Sequence, residues 1–93
     1  MARYLVDPDR CDDAVRAFSE AAGEIADLDG LEQGYICVNS EDGTVMTITI
    51  WRDQAALDAS ETRAVTLRQR AIREVDGELQ SVHVFDVVRD FEG

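Results

Sequence analysis

Four side chains in this sequence could do chemistry, and they are spread over four different segments: Tyr35, Trp51, Arg68 and His83. His83 is the only histidine, and its ordinary titration range makes it the one ready proton carrier near neutral pH. It is equally readable as a satisfied strand histidine. Arg68 sits in Ala64-Val-Thr-Leu67-Arg68-Gln-Arg-Ala71-Ile72-Arg-Glu-Val75, where Ala64, Leu67, Ala71, Ile72 and Val75 make one apolar stripe at helical spacing. Arg68 falls near the centre of that stripe, whereas Arg63, Arg70 and Arg73 point elsewhere. A guanidinium aimed at a core must be paired or must line a cavity, because burying it alone is very costly. Two readings are open: an ion pair with Asp86, or contact with an acidic or phenolate-like ligand. Trp51 either plugs the end of a sheet or forms a wall on which a flat molecule stacks. Tyr35 shares a strand face with Cys37, a core or interface position that could also handle a proton.

The elements that must position these groups are legible. Gly43 to Trp51 alternates β-branched residues (Val45, Thr47, Ile48, Thr49, Ile50), the composition of a central strand, and Asp42-Gly43 before it signals a hairpin turn. Asp53 can cap a helix opening with Gln54-Ala-Ala-Leu. Ala2 to Val6 predicts a first strand stopped by Asp7-Pro8, with Asp9 as N-cap of a helix from Cys11 to about Asp27 or Asp29. Gly30 punctuates, and Leu31 to Asn39 is the second strand, where Gly34 predicts a bulge or a close approach. After Trp51 the pattern predicts a short helix to about Ala59, a break at Ser60, and a longer helix from Glu61 to Glu74. Ser81 to Arg89 is the last strand.

The order β-α-β-β-α-β is the ferredoxin-like pattern of an α+β fold: a four-stranded antiparallel sheet with both helices on one face. The central strand carries Met46, Ile48 and Ile50 on one side and Val45, Thr47, Thr49 and Trp51 on the other. A sheet with one solvated face should alternate apolar and charged residues, so something covers the second face, most economically a second copy.

Totals narrow the function. Ninety-three residues predict a single domain spanning 1–93. A net charge of −11 argues against nucleic acid and against anionic membrane surfaces, and a hydrophobic fraction of 45% argues against a disordered chain. All nine basic residues are arginine, so Schiff-base chemistry and a lysine anchor for pyridoxal phosphate have no residue to use. Two distant cysteines make neither a metal cluster nor a redox pair. No glycine-rich phosphate loop, nucleophile elbow or metal-ligand cluster is present in the sequence, and neither a signal peptide nor a membrane span is recognisable, which predicts a cytoplasmic protein.

A strand ending in Trp51 and followed at once by a capped Ala/Leu helix, Ile50-Trp-Arg-Asp-Gln-Ala-Ala-Leu-Asp-Ala59, resembles the third strand and following helix of the antibiotic biosynthesis monooxygenase family. Val6-Asp7-Pro8 before a helix and Gly30 before the second strand extend the likeness over nearly the whole chain. The resemblance implies a dimeric α+β barrel, a homodimer, that oxygenates a quinol or polycyclic aromatic substrate with no bound cofactor. On that reading Arg68 steadies a phenolate, Trp51 stacks on the ring, and His83 or Tyr35 moves a proton. Ser60 stands where family members commonly carry a histidine, and so belongs with the substrate-binding candidates. The haem-degrading branch has an axial histidine where this chain has Arg70, so haem chemistry is not expected. The other class the sequence supports is a non-catalytic dimer of the same fold that binds a small ligand or accompanies an enzyme.

Overall fold

The computed structural model describes residues 1–92, with elements in the order β1 (Ala2–Leu5), α1 (Cys11–Ile25), β2 (Leu31–Asn39), β3 (Thr44–Trp51), α2 (Gln54–Glu74) and β4 (Glu78–Val82). All pairings are antiparallel and the strand order is β2-β3-β1-β4. This is the ferredoxin-like α+β arrangement, with the two helices packed together over one sheet face. Ala2, Tyr4, Val45 and Thr47 are buried on that face beneath Ala14, Phe18 and Ile25 of α1 and Ala64, Leu67 and Ala71 of α2.

Capping explains most element boundaries. Asp53 Oδ1 accepts from the Ala56 N–H at 2.8 Å and starts α2 immediately after Trp51. The β2–β3 turn is built by side-chain acceptors: Asn39 Oδ1 takes the Glu41 N–H at 3.0 Å and Asp42 Oδ1 takes the Thr44 N–H at 2.9 Å. That second bond holds the Asp42 carboxyl below its ordinary range. Gly43 follows with φ +79°, and a Cβ there would collide with the Val6 carbonyl oxygen. The Val6 N–H in turn donates to the Gly43 carbonyl at 2.8 Å, so this turn is stitched to the end of β1.

Several expectations are corrected. Asp9 does not cap α1. Pro8 opens a 3₁₀ turn (Pro8–Arg10) one step earlier, and Asp7 caps it by accepting from the Asp9 N–H at 2.9 Å. Ser60 does not break the second helix, which runs unbroken for 21 residues. The buried Ser60 hydroxyl donates to the Leu57 carbonyl at 3.0 Å, within the preceding turn, so the helix satisfies it without opening. The irregularity in β2 lies between Leu31 and Gln33 rather than at Gly34, where a Cβ would make ordinary contact 3.6 Å from the Ile48 carbonyl oxygen.

The last strand shifts most. It occupies Glu78–Val82, not Ser81 to Arg89. Its partner is β1, and Val82 lies opposite Ala2; His83 adds one further pair of main-chain bonds to Met1, each 2.8 Å. Beyond that point Val84, Phe85, Val87, Val88 and Phe91 are exposed.

Candidate functional site

A cavity of about 270 Å³ lies between the C-terminal half of α1 and the β2–β3 half of the sheet. Phe18, Ala21, Ala22 and Ile25 form its roof, Leu31, Gly34, Ile36, Thr47 and Thr49 its floor, and Arg68 reaches it from α2. The small residues make the space. Alanines on α1 and a glycine on β2 are where larger side chains would otherwise meet. The wall is therefore apolar with one cation.

Arg68 is partly buried, and among the described residues no carboxylate lies within ion-pair distance of it. The pairing with Asp86 is not formed. Asp86 is exposed and lies beyond the end of β4. The other arginines of α2 behave differently: Arg63 and Arg70 both reach Glu24 of α1, at 3.3 and 3.7 Å, and tie the helices together across their solvent side. Such exposed pairs contribute about 0–1 kcal/mol each.

Tyr35 touches the cavity at the edge strand and is 47% exposed, and its register opposite Ile48 assigns its side chain to the sheet face away from the helices. Trp51 is half-buried against the core, and its Nε1–H donates to Thr49 Oγ1 at 3.0 Å. It closes the end of the sheet and does not line the cavity. Ser60 is buried inside α2, away from the lining residues. His83 is exposed past the end of β4, its ring 5.9 Å from that of Phe85, and it too is outside the lining. The structure thus puts Arg68 at the cavity, leaves Tyr35 at its edge with the side chain on the far face of the sheet, and keeps Trp51, Ser60 and His83 apart from it.

Two polar residues that sequence reasoning missed lie under the same cavity. Tyr4 of β1 is 3% exposed, with its ring 4.9 Å from the Phe18 ring. Burial pushes its phenol above the ordinary tyrosine range, while the neighbouring Arg68 charge and hydrogen-bonding groups of Thr47 and Arg68 act in the opposite sense. Thr47 Oγ1 is inaccessible to solvent and has no hydrogen-bond partner among the described residues. Thr49, two residues along, has its oxygen taken by Trp51. Thr47 does not. A tyrosine in a strand and a threonine in a β-branched run carry no distinguishing signal in the sequence; their meeting under Arg68 depends on the β1–β3 register, in which Tyr4 stands opposite Val45 and diagonal to Thr47.

Among the described residues no group of histidine, cysteine and carboxylate side chains is arranged to hold a metal ion, and no helix is long and apolar enough to cross a membrane. No curated protein matches the chain. The model of the antibiotic biosynthesis monooxygenase family matches residues 1–79, a span that takes in β1 through the start of β4 and every residue lining the cavity. With this order of strands and helices and this extent of match, the chain belongs to the antibiotic biosynthesis monooxygenase family.

Proposed function

We propose that the cavity binds a small, flat, reduced aromatic molecule bearing an acidic hydroxyl, and that the protein promotes oxygenation of that molecule by dioxygen without a bound cofactor. The observation that carries this reading is Arg68: an arginine with no carboxylate partner among the described residues, in the wall of an otherwise apolar cavity. A guanidinium there stabilises a phenolate, and an electron-rich phenolate is what reacts with dioxygen. The substrate gives one electron to dioxygen, the two radicals join in a carbon–oxygen bond, and the resulting peroxide takes a proton. Loss of water then leaves a new carbonyl, with one oxygen atom kept in the product and the other in the water. An apolar cavity of about 150 Å³ holds benzene, so about 270 Å³ suits a two-ring substrate better than a larger polycycle.

Mixing the protein anaerobically with a naphthoquinol and then admitting oxygen tests the reading. Oxygen uptake well above the uncatalysed rate is expected. Binding without faster uptake would favour the second reading, a ligand-binding protein of the same fold. One observation points that way: His83, the sequence's only histidine, lies outside the cavity, which leaves no ordinary proton carrier at its wall.

A homodimer is part of the proposal. Met46, Ile48 and Ile50 are half-buried on the sheet face without helices, and Leu5 and Tyr35 of the same face are more than two-fifths exposed. A second sheet would cover them. Ile48→Glu should then shift the protein toward monomer in light scattering, because the pairing would bury an uncompensated charge. A monomer from the unaltered protein at micromolar concentration would rule the dimer out.

A further inference from the structure

The two edges of the sheet are each left open in a way that suits the other. β2 is an edge strand bonded only to β3, and seven of its nine residues are exposed. Leu31–Asn39 holds no proline or lysine and a single carboxylate, Glu32, so it carries few of the devices that keep a free edge from pairing. β4 is the other edge. Past His83 no main-chain hydrogen bond forms among the described residues, although residues 84–91 contain three valines and two phenylalanines and neither glycine nor proline. The stretch is also two-sided. Ser81 stands opposite Arg3 on the helix-free face, and alternation from there carries His83, Phe85, Val87, Arg89 and Phe91 onto that face. Val84, Asp86, Val88 and Asp90 fall on the other, a mixed set suited to a half-solvated side.

The molecule's own β2 is out of line for this stretch. The two edges lie three strand spacings apart, about 14 Å, with β3 and β1 between them. A return over the sheet would need a sharp turn, for which residues 84–91 have no turn-forming glycine or proline. Resting on the homodimer proposed above, we propose that each copy lays residues 84–91 along the free edge of its partner's β2 as an antiparallel fifth strand. A two-fold axis running along the strands, between the two helix-free faces, keeps strand direction and sets the β4 edge of one copy beside the β2 edge of the other. β2 and β4 are three antiparallel steps apart within one sheet and so run oppositely, which makes the new pair antiparallel too. Phe85, Val87 and Phe91 then face the space between the sheets, together with Met46, Ile48 and Ile50. The area suffices. Phe85 and Phe91 are 68% and 84% exposed, so from two copies their rings bring roughly 450–750 Å². The surface they cover brings about as much, which approaches the roughly 1,200–2,000 Å² of a stable interface before the valines and the sheet faces are counted. A strand at this edge also covers Gly34 and Tyr35, which are exposed where the cavity reaches the surface.

Cys37 makes the test direct, because it is exposed on β2 and its register opposite Met46 puts it on the helix-free face. Phe85→Cys, Val87→Cys and Arg89→Cys share that face; Val84→Cys and Val88→Cys do not. Under mild oxidation at least one of the first three should give a disulfide-linked dimer on a non-reducing gel, and Cys37→Ser should abolish it. The last two should stay at the level of the unaltered protein. Val87→Pro removes a strand donor without touching the sheet of its own copy, and should weaken the dimer roughly ten- to a hundredfold in light scattering on dilution. Crosslinking at all five positions alike, at none, or within a single copy would overturn the inference, as would an unchanged dimer in Val87→Pro. In those cases the dimer through the sheets still stands if Ile48→Glu splits it. A monomeric unaltered protein ends the dimer reading and this inference with it.

Discussion

Phe18→Ala is expected to lower the unfolding free energy by about 3–5 kcal/mol, the range for removing a buried aromatic side chain from a core. Phe18 is 2% exposed, stacks at an angle on Tyr4, and separates the core from the cavity. The cost falls at the upper part of that range because the void cannot collapse. It opens directly into an existing cavity, and the α1 residues beside it, Ala21 and Ala22, are too small to fill it. A chain of this length has roughly 5–14 kcal/mol of stability to lose, so the variant should be marginal at room temperature. Phe18→Leu keeps most of the volume and should cost less than about 1.5 kcal/mol. Denaturant melts measure both. A midpoint for Phe18→Ala close to that of the unaltered protein would show that α1 can settle onto the sheet without this ring, and that the cavity is not a stable feature of the fold.

Arg68→Met should separate ligand binding from stability. With no carboxylate partner among the described residues and the guanidinium partly solvated, the substitution should change stability by only about 1 kcal/mol in either direction. Affinity for a phenolate-bearing aromatic should fall roughly ten- to a hundredfold, the value of about 1.5–3 kcal/mol carried by a charge-assisted hydrogen bond. Asp86→Asn should do nothing to either property, and its effect should simply add to that of Arg68→Met, because Asp86 is exposed and remote from the cavity lining. Strong coupling between the two in melts, with ligand affinity untouched, would restore the ion-pair reading and remove Arg68 from the site.

Local chemistry carried much of the fold. The Asp53 cap after Trp51, the Asp42-Gly43 turn and the alternation through β3 each act over a few residues, and each is found where its residues stand. The bounds of β2 follow for the same reason. The family resemblance, carried by the run from Ile50 to Ala59, agrees with the match over residues 1–79. Where the sequence misleads, two local preferences compete and tertiary context chooses. Ser60 is a weak helix former in isolation, but its buried hydroxyl finds the Leu57 carbonyl and the helix continues. The run from Val82 to Arg89 has strong strand propensity, yet a strand requires a neighbour, and the pairing with β1 stops at His83.

Local patterning accounts for the α+β order, the two sheet faces and the placement of one arginine on the apolar stripe of α2, because these depend on periodicity and on caps within a few residues. The tertiary structure alone decided what that arginine meets. The β1–β3 and β2–β3 pairing puts Thr47 and Thr49 on the face it reaches, the early end of β4 takes His83 and Asp86 away, and the alanines of α1 over Gly34 leave the cavity it lines. These are contacts between segments tens of residues apart. They are set by strand register and by the volume left between packed layers, neither of which any local run of residues encodes.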